Sequence, residues 1–96
     1  MKKYVIERTM PGVGSLTRDA LYAASTKSNT TLDELGPDIQ WVQSFVTSDK
    51  IYCVYLAENE QLVREHARRT GLPADRISTV RAMIDPTMGS HPTAMA

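Results

Sequence analysis

The sequence predicts an α+β domain with the order β-α-β-β-α-β. Three observations predict it. The block Gly36-Pro37-Asp38-Ile39-Gln40-Trp41-Val42, with Lys50-Ile51-Tyr52-Cys53-Val54-Tyr55-Leu56 soon after it, reads as one long β-hairpin. A charged, amphipathic helix follows the hairpin directly. A strand and a helix come before it, and a further strand comes after. Two right-handed β-α-β crossovers of this kind give a four-stranded antiparallel sheet with two helices on one face. The first and third strands are then central.

Each element has its own signal. Lys3 to Thr9 is β-prone through Tyr4, Val5, Ile6 and Thr9, and Met10-Pro11-Gly12-Val13-Gly14 breaks it. Ser15 is the expected N-cap of the first helix, which runs to Leu35 and stops at Gly36-Pro37. Its inner stripe is Ala20, Leu21, Ala24, Ser28, Leu32 and Leu35. Ser25 to Thr31 is rich in Ser and Thr, so tertiary packing must hold that stretch helical. Asp38 to Thr47 and Lys50 to Glu58 form the hairpin. Asn59 caps the second helix, which ends at Thr70-Gly71 with Pro73 beyond it. Its inward stripe is Leu62, Val63, His66, Ala67 and Thr70. Arg76 to Ile84 is the fourth strand, and Asp85-Pro86 ends it. Residues 1–86 thus make one domain, and 87–96 read as a flexible tail.

Alternation sorts the strand residues between the two faces. Tyr4, Ile6, Val42, Val46, Val54, Leu56, Val80, Ala82 and Ile84 are expected to face the helices. Val5, Glu7, Ile39, Trp41, Gln43, Phe45, Ile51, Cys53, Tyr55, Thr79, Arg81 and Met83 are expected on the open face. That face is too apolar for bare solvent and too polar for a plain core. Two copies meeting across it would make a homodimer around a small lined cavity.

Bulk properties narrow the function classes. Lys+Arg and Asp+Glu both number 11, so the formal net charge is zero and nothing favours nucleic acid or an anionic membrane. Arg64, Arg68 and Arg69 stand among Glu58, Glu60 and Glu65, which reads as a solvated helix face. One cysteine, Cys53, allows no intrachain disulfide. Met1-Lys2-Lys3 is followed by only three apolar residues before Glu7 and Arg8, so neither a signal peptide nor a membrane span is expected. The cytoplasm is the expected location.

Several stretches carry a family likeness. They are Tyr4-Val5-Ile6-Glu7-Arg8, Pro11-Gly12, Gly36 to Val42, Ile51 to Tyr55, Arg64-Glu65-His66-Ala67, Gly71-Leu72-Pro73-Ala74 and Ile84-Asp85-Pro86. Together they resemble a family of small bacterial proteins, filed mainly as a domain of unknown function, with a member described as nickel-binding. The likeness spans roughly residues 3 to 86. It implies a ferredoxin-like dimeric α/β barrel and the binding of a nickel ion.

No cluster of residues here is a catalytic signature. The candidate metal ligands are Glu7, Cys53 and His66. Neutral imidazole suits nickel, copper and zinc, and thiolate is a softer donor. The bland alternatives are a core histidine hydrogen-bonded to its surroundings and a small apolar core cysteine. The candidate ligand-binding residues are Glu7, Trp41, Tyr55 and Arg81, with Arg81 as an anion clamp and the aromatics as walls. Their alternatives are a Glu7–Arg81 cross-strand pair and interface hydrophobes. Gly12-Val13-Gly14 lacks the remainder of a phosphate loop, and His91 is at most an adventitious ligand. Three functions follow: a small cytoplasmic dimer binding a nickel-type ion, a cofactor-independent isomerase or monooxygenase using a sheet-face cavity, or an interaction module.

Overall fold

The computed structural model describes residues 1–89. Its main elements are β1 (Lys2–Thr9), α1 (Arg18–Leu35), β2 (Ile39–Val46), β3 (Lys50–Ala57), α2 (Glu60–Thr70) and β4 (Arg76–Thr79). A short helix, α3 (Pro86–Gly89), lies where the tail was expected to begin. The expected tail beyond it, His91 included, lies outside the described residues. The four strands form one antiparallel sheet in the order β2-β3-β1-β4, so β1 and β3 are central as expected. This is the α+β, ferredoxin-like arrangement.

Local chemistry explains the helix ends. Asn59 caps α2, its side chain accepting from the Leu62 N–H at 3.0 Å. Gly71 closes α2 in the left-handed region at φ 74°, where a side chain would be strained. The start of α1 differs from expectation. Val13–Ser15 make a 3₁₀ turn, and Thr17 is the cap, accepting from the Ala20 N–H at 3.1 Å. The Ser/Thr-rich middle of α1 keeps its hydroxyls occupied. Ser25, Thr26, Thr30 and Thr31 each donate to the carbonyl four residues back. Ser28 and Thr31 are the buried residues of this helix, so its contact with the sheet is narrow.

The faces of the sheet differ from those expected in three strands. In β3, Ile51, Cys53, Tyr55 and Ala57 face the helices, while Tyr52, Val54 and Leu56 look outward. The reason is register. Tyr4 pairs with Tyr55 and Ile6 with Cys53, and residues directly opposite share a face. Since Tyr4 and Ile6 point inward, their partners must too. Both faces of β3 are apolar, so composition alone could not choose. In β2, a bulge between Trp41 and Gln43 leaves Val42 unpaired and exposed. Ile39 and Trp41 therefore join Val46 on the helix side, and Gln43 and Phe45 stay on the open face. The fourth strand is shorter than expected. Tyr4 pairs with Thr79, and the last bond runs from the Val80 N–H to the Lys3 carbonyl at 2.8 Å. Beyond that the chain leaves the edge of β1, and Arg81, Met83 and Ile84 are exposed and off the sheet.

The core gathers Tyr4, Ile6, Ile39, Cys53, Tyr55, Ala57 and Val63. The expected solvated face of α2 is visible as ion pairs of Arg64 with Glu60, and of Arg68 and Arg69 with Glu65.

Gly14 sits where the 3₁₀ turn meets the β2–β3 hairpin turn. Its N–H donates to the Ser48 carbonyl at 2.9 Å. A Cβ here would lie 2.7 Å from the Thr47 carbonyl oxygen and 2.8 Å from Ser48 Cα. Gly14→Ala is expected to destabilise the protein by roughly 1–3 kcal/mol, read from urea melts. An unchanged midpoint would mean that the two turns part freely.

Candidate functional site

The central strand β1 places Tyr4, Ile6 and Arg8 on the helix side in turn. Arg8 is the unexpected member: a fully buried arginine, with 0% of its surface exposed. Its Nη1 donates to the Pro73 carbonyl at 2.8 Å, and its Nε lies 3.4 Å from the Cys53 sulfur. Its Nη2 has no partner, and no carboxylate lies within ion-pair distance, among the described residues.

Arg8 borders a cavity of about 200 Å³ between the sheet and the first half of α1. Trp41, Ser44, Ile51, Cys53 and Tyr55 line it from the sheet, and Leu21, Ala24, Ser25 and Ser28 from the helix. The Trp41 indole N–H donates to Ser44 Oγ at 2.9 Å, which fixes one wall.

His66 lies beside this cavity, inside α2's inward stripe and 0% exposed. Its Nε2 is 3.0 Å from Ser28 Oγ, which ties α2 to α1. Its ring packs at 5.3 Å from that of Tyr55. Its Nδ1 has no partner among the described residues. Burial, and then the Arg8 charge, push the imidazole from 6.5 down to about 4, with Ser28 opposing. The ring is therefore neutral at neutral pH. Burial likewise raises the Tyr55 phenol, with Cys53 adding to the rise and Arg8 and Ser28 partly offsetting it.

The residues expected from the sequence divide between two faces. Trp41, Tyr55 and Cys53 come together, but on the helix side, with His66 behind them. Glu7 is on the open face, where it pairs with Lys50 at 2.7 Å, its side chain 26% exposed. Arg81 is on the exposed segment after β4, so the expected Glu7–Arg81 pairing on one sheet face does not form. Arg8 was missed. The available signal was its period-two spacing from Tyr4 and Ile6, which puts it on the core face.

The candidate metal ligands do not fit a metal ion within one protomer. No three His, Cys, Asp or Glu side chains converge among the described residues. Cys53 and His66 share their side of the sheet with an uncompensated guanidinium, which repels a cation. Glu7 is across the sheet.

Residues 4–80 match a family model described as "Nickel responsive protein SCO4226-like". The chain belongs to this family. Its fold is similar to that in the crystal structure of SCO4226 from Streptomyces coelicolor A3(2). The TM-score is 0.72 at 21% identity, with 85% of this chain and 99% of that chain covered. At that identity the likeness concerns the fold. No curated protein matches the chain. Among the described residues, no helix is long and apolar enough to cross a membrane.

The His66 shift fixes a pH dependence. The unfolded chain takes up this proton first, so the contribution of neutral His66 is complete above about pH 6.5. It is lost progressively as the pH falls toward 4. His66→Ala is expected to cost roughly 1–3 kcal/mol at pH 7, because Ser28 is left unpaired, and to flatten this acid-side slope. Denaturant melts at several pH values check both. A variant with wild-type stability and slope would remove His66 from the buried network.

Proposed function

We propose that the protein is a small, non-catalytic binding protein that works as a homodimer in a nickel response. Membership of the nickel-responsive family supports the nickel half. The open sheet face supports the dimer half, and it is the observation that carries this reading. Val5, Val54 and Leu56 are only half-buried there, and Phe45 is 55% exposed, with no element covering them among the described residues. An apolar face of this kind is stabilised by a second copy.

Nickel held by the protein itself is the finer part of the proposal. Because one protomer does not bring its donors together, the ion would take residues from both. Glu7 is the one candidate ligand on the face that pairing would cover. Cys53 and His66, beneath the helices with Arg8, would not take part. The lone cysteine is compatible with the expected cytoplasmic location. The enzymatic alternative gains no support from the comparisons, and the sheet-face cavity it relied on is replaced by one on the helix side.

Light scattering and nickel titration calorimetry on tag-free protein test this reading. Val54→Asp, placing a charge in the covered face, is expected to give folded monomer. Nickel binding is expected to be lost in Val54→Asp and in Glu7→Gln, and kept in Cys53→Ala and His66→Ala. A wild-type monomer overturns the dimer. Saturable nickel binding by monomeric Val54→Asp overturns the shared site, and no saturable binding by the wild type overturns bound nickel.

A further inference from the structure

The buried Arg8 is not explained by a nickel response or by a dimer through the opposite face. An arginine stays protonated in a protein, so it cannot escape burial by losing its charge. A buried cation without an anion is strongly disfavoured. Here the carbonyl of Pro73 and the sulfur of Cys53 occupy Nη1 and Nε, and no carboxylate pairs with the guanidinium among the described residues. Among the described residues Nη2 has no partner, and Arg8 is one of the residues bordering an otherwise mostly apolar cavity.

We infer that the cavity beneath α1 binds a small carboxylate with an apolar body, its carboxylate meeting Arg8 and its body lying against Trp41 and Tyr55. The charge balance selects the class. One guanidinium is neutralised by one negative charge. A phosphate dianion would carry a second charge into walls such as Leu21, Ile51 and Val46, where nothing would compensate it. One free N–H-bearing nitrogen also suits a single carboxylate contact better than a multidentate anion. The narrow contact of α1 with the sheet gives a route of entry, since its buried residues Ser28 and Thr31 lie in its second half and the cavity under its first. Ser28 joins cavity and His66, so an occupied cavity also stiffens the α1–α2 contact.

Trp41 is the single tryptophan and lines the cavity, so its fluorescence reports occupancy directly. The probes are phenylacetate, its uncharged analogue phenylacetamide, and inorganic phosphate. Phenylacetate is expected to change Trp41 emission saturably. Phenylacetamide is expected to bind roughly tenfold more weakly or worse, the loss of about one charge interaction, and phosphate not to compete. Arg8→Met should abolish the preference for phenylacetate over its amide. Ala24→Phe, on the exposed rim of α1, should fill the cavity and abolish binding without altering the fold. Should Arg8→Met fail to fold, the carboxylate–amide comparison in the wild type and the Ala24→Phe result decide alone. Equal affinity for acid and amide, displacement by phosphate, binding unaffected by Ala24→Phe, or no saturable signal stronger than roughly 10 mM each overturns the inference.

Discussion

The eight-pair antiparallel register between β1 and β3 is the constraint from which the rest of the molecule follows. Both strands are central, so each is locked on two sides. Once Tyr4 and Ile6 turn inward, Arg8 must turn inward two residues later, and Cys53, Tyr55 and Ala57 must face the same way. A slip of one residue would move all of these side chains to the open face. The same central strand sets the register of β4, pairing Tyr4 with Thr79 and Ile6 with Ile77.

That register creates the tension in the structure. It carries a guanidinium into the core side of the sheet, near Tyr55, Cys53 and His66 and with no carboxylate paired to it among the described residues. The imidazole responds by staying neutral. Its hydrogen bond to Ser28 then becomes the main polar link between the two helices. The helix α1 touches the sheet narrowly, and the space beneath its first half remains open. A cavity with one uncompensated charge and aromatic walls is the result. It is suited to a ligand and unsuited to a cation.

The outer face of the sheet has a different character. Val5, Val54, Leu56 and Phe45 lie around the partly exposed Glu7–Lys50 pair, which contributes little by itself in water. The molecule therefore offers two chemically distinct surfaces separated by one layer of strands. Family membership places the protein among the nickel-responsive, SCO4226-like proteins. The separation of the two faces explains why a single protomer does not assemble the thiol, imidazole and carboxylate that the sequence offers.

The order of elements was legible in the sequence because its signals are local. The hairpin residues, the Asn59 cap, the Gly71 stop and the Gly36-Pro37 stop all act within a few positions, and each lies in the structure where it was expected. The inward position of His66 also followed from helical spacing. The faces of β2 and β3 were not legible. Val54 and Tyr55 are both apolar, and only pairing with β1 decides between them. The bulge at Val42 inverts the alternation on its N-terminal side, and no local residue announces it. Arg8 shows the difference most plainly. Its place in the chain sets which way it points, but its burial, its free nitrogen and the cavity beside it depend on Pro73, Cys53 and α1. Those partners are distant in sequence, so only the folded chain could bring them to it.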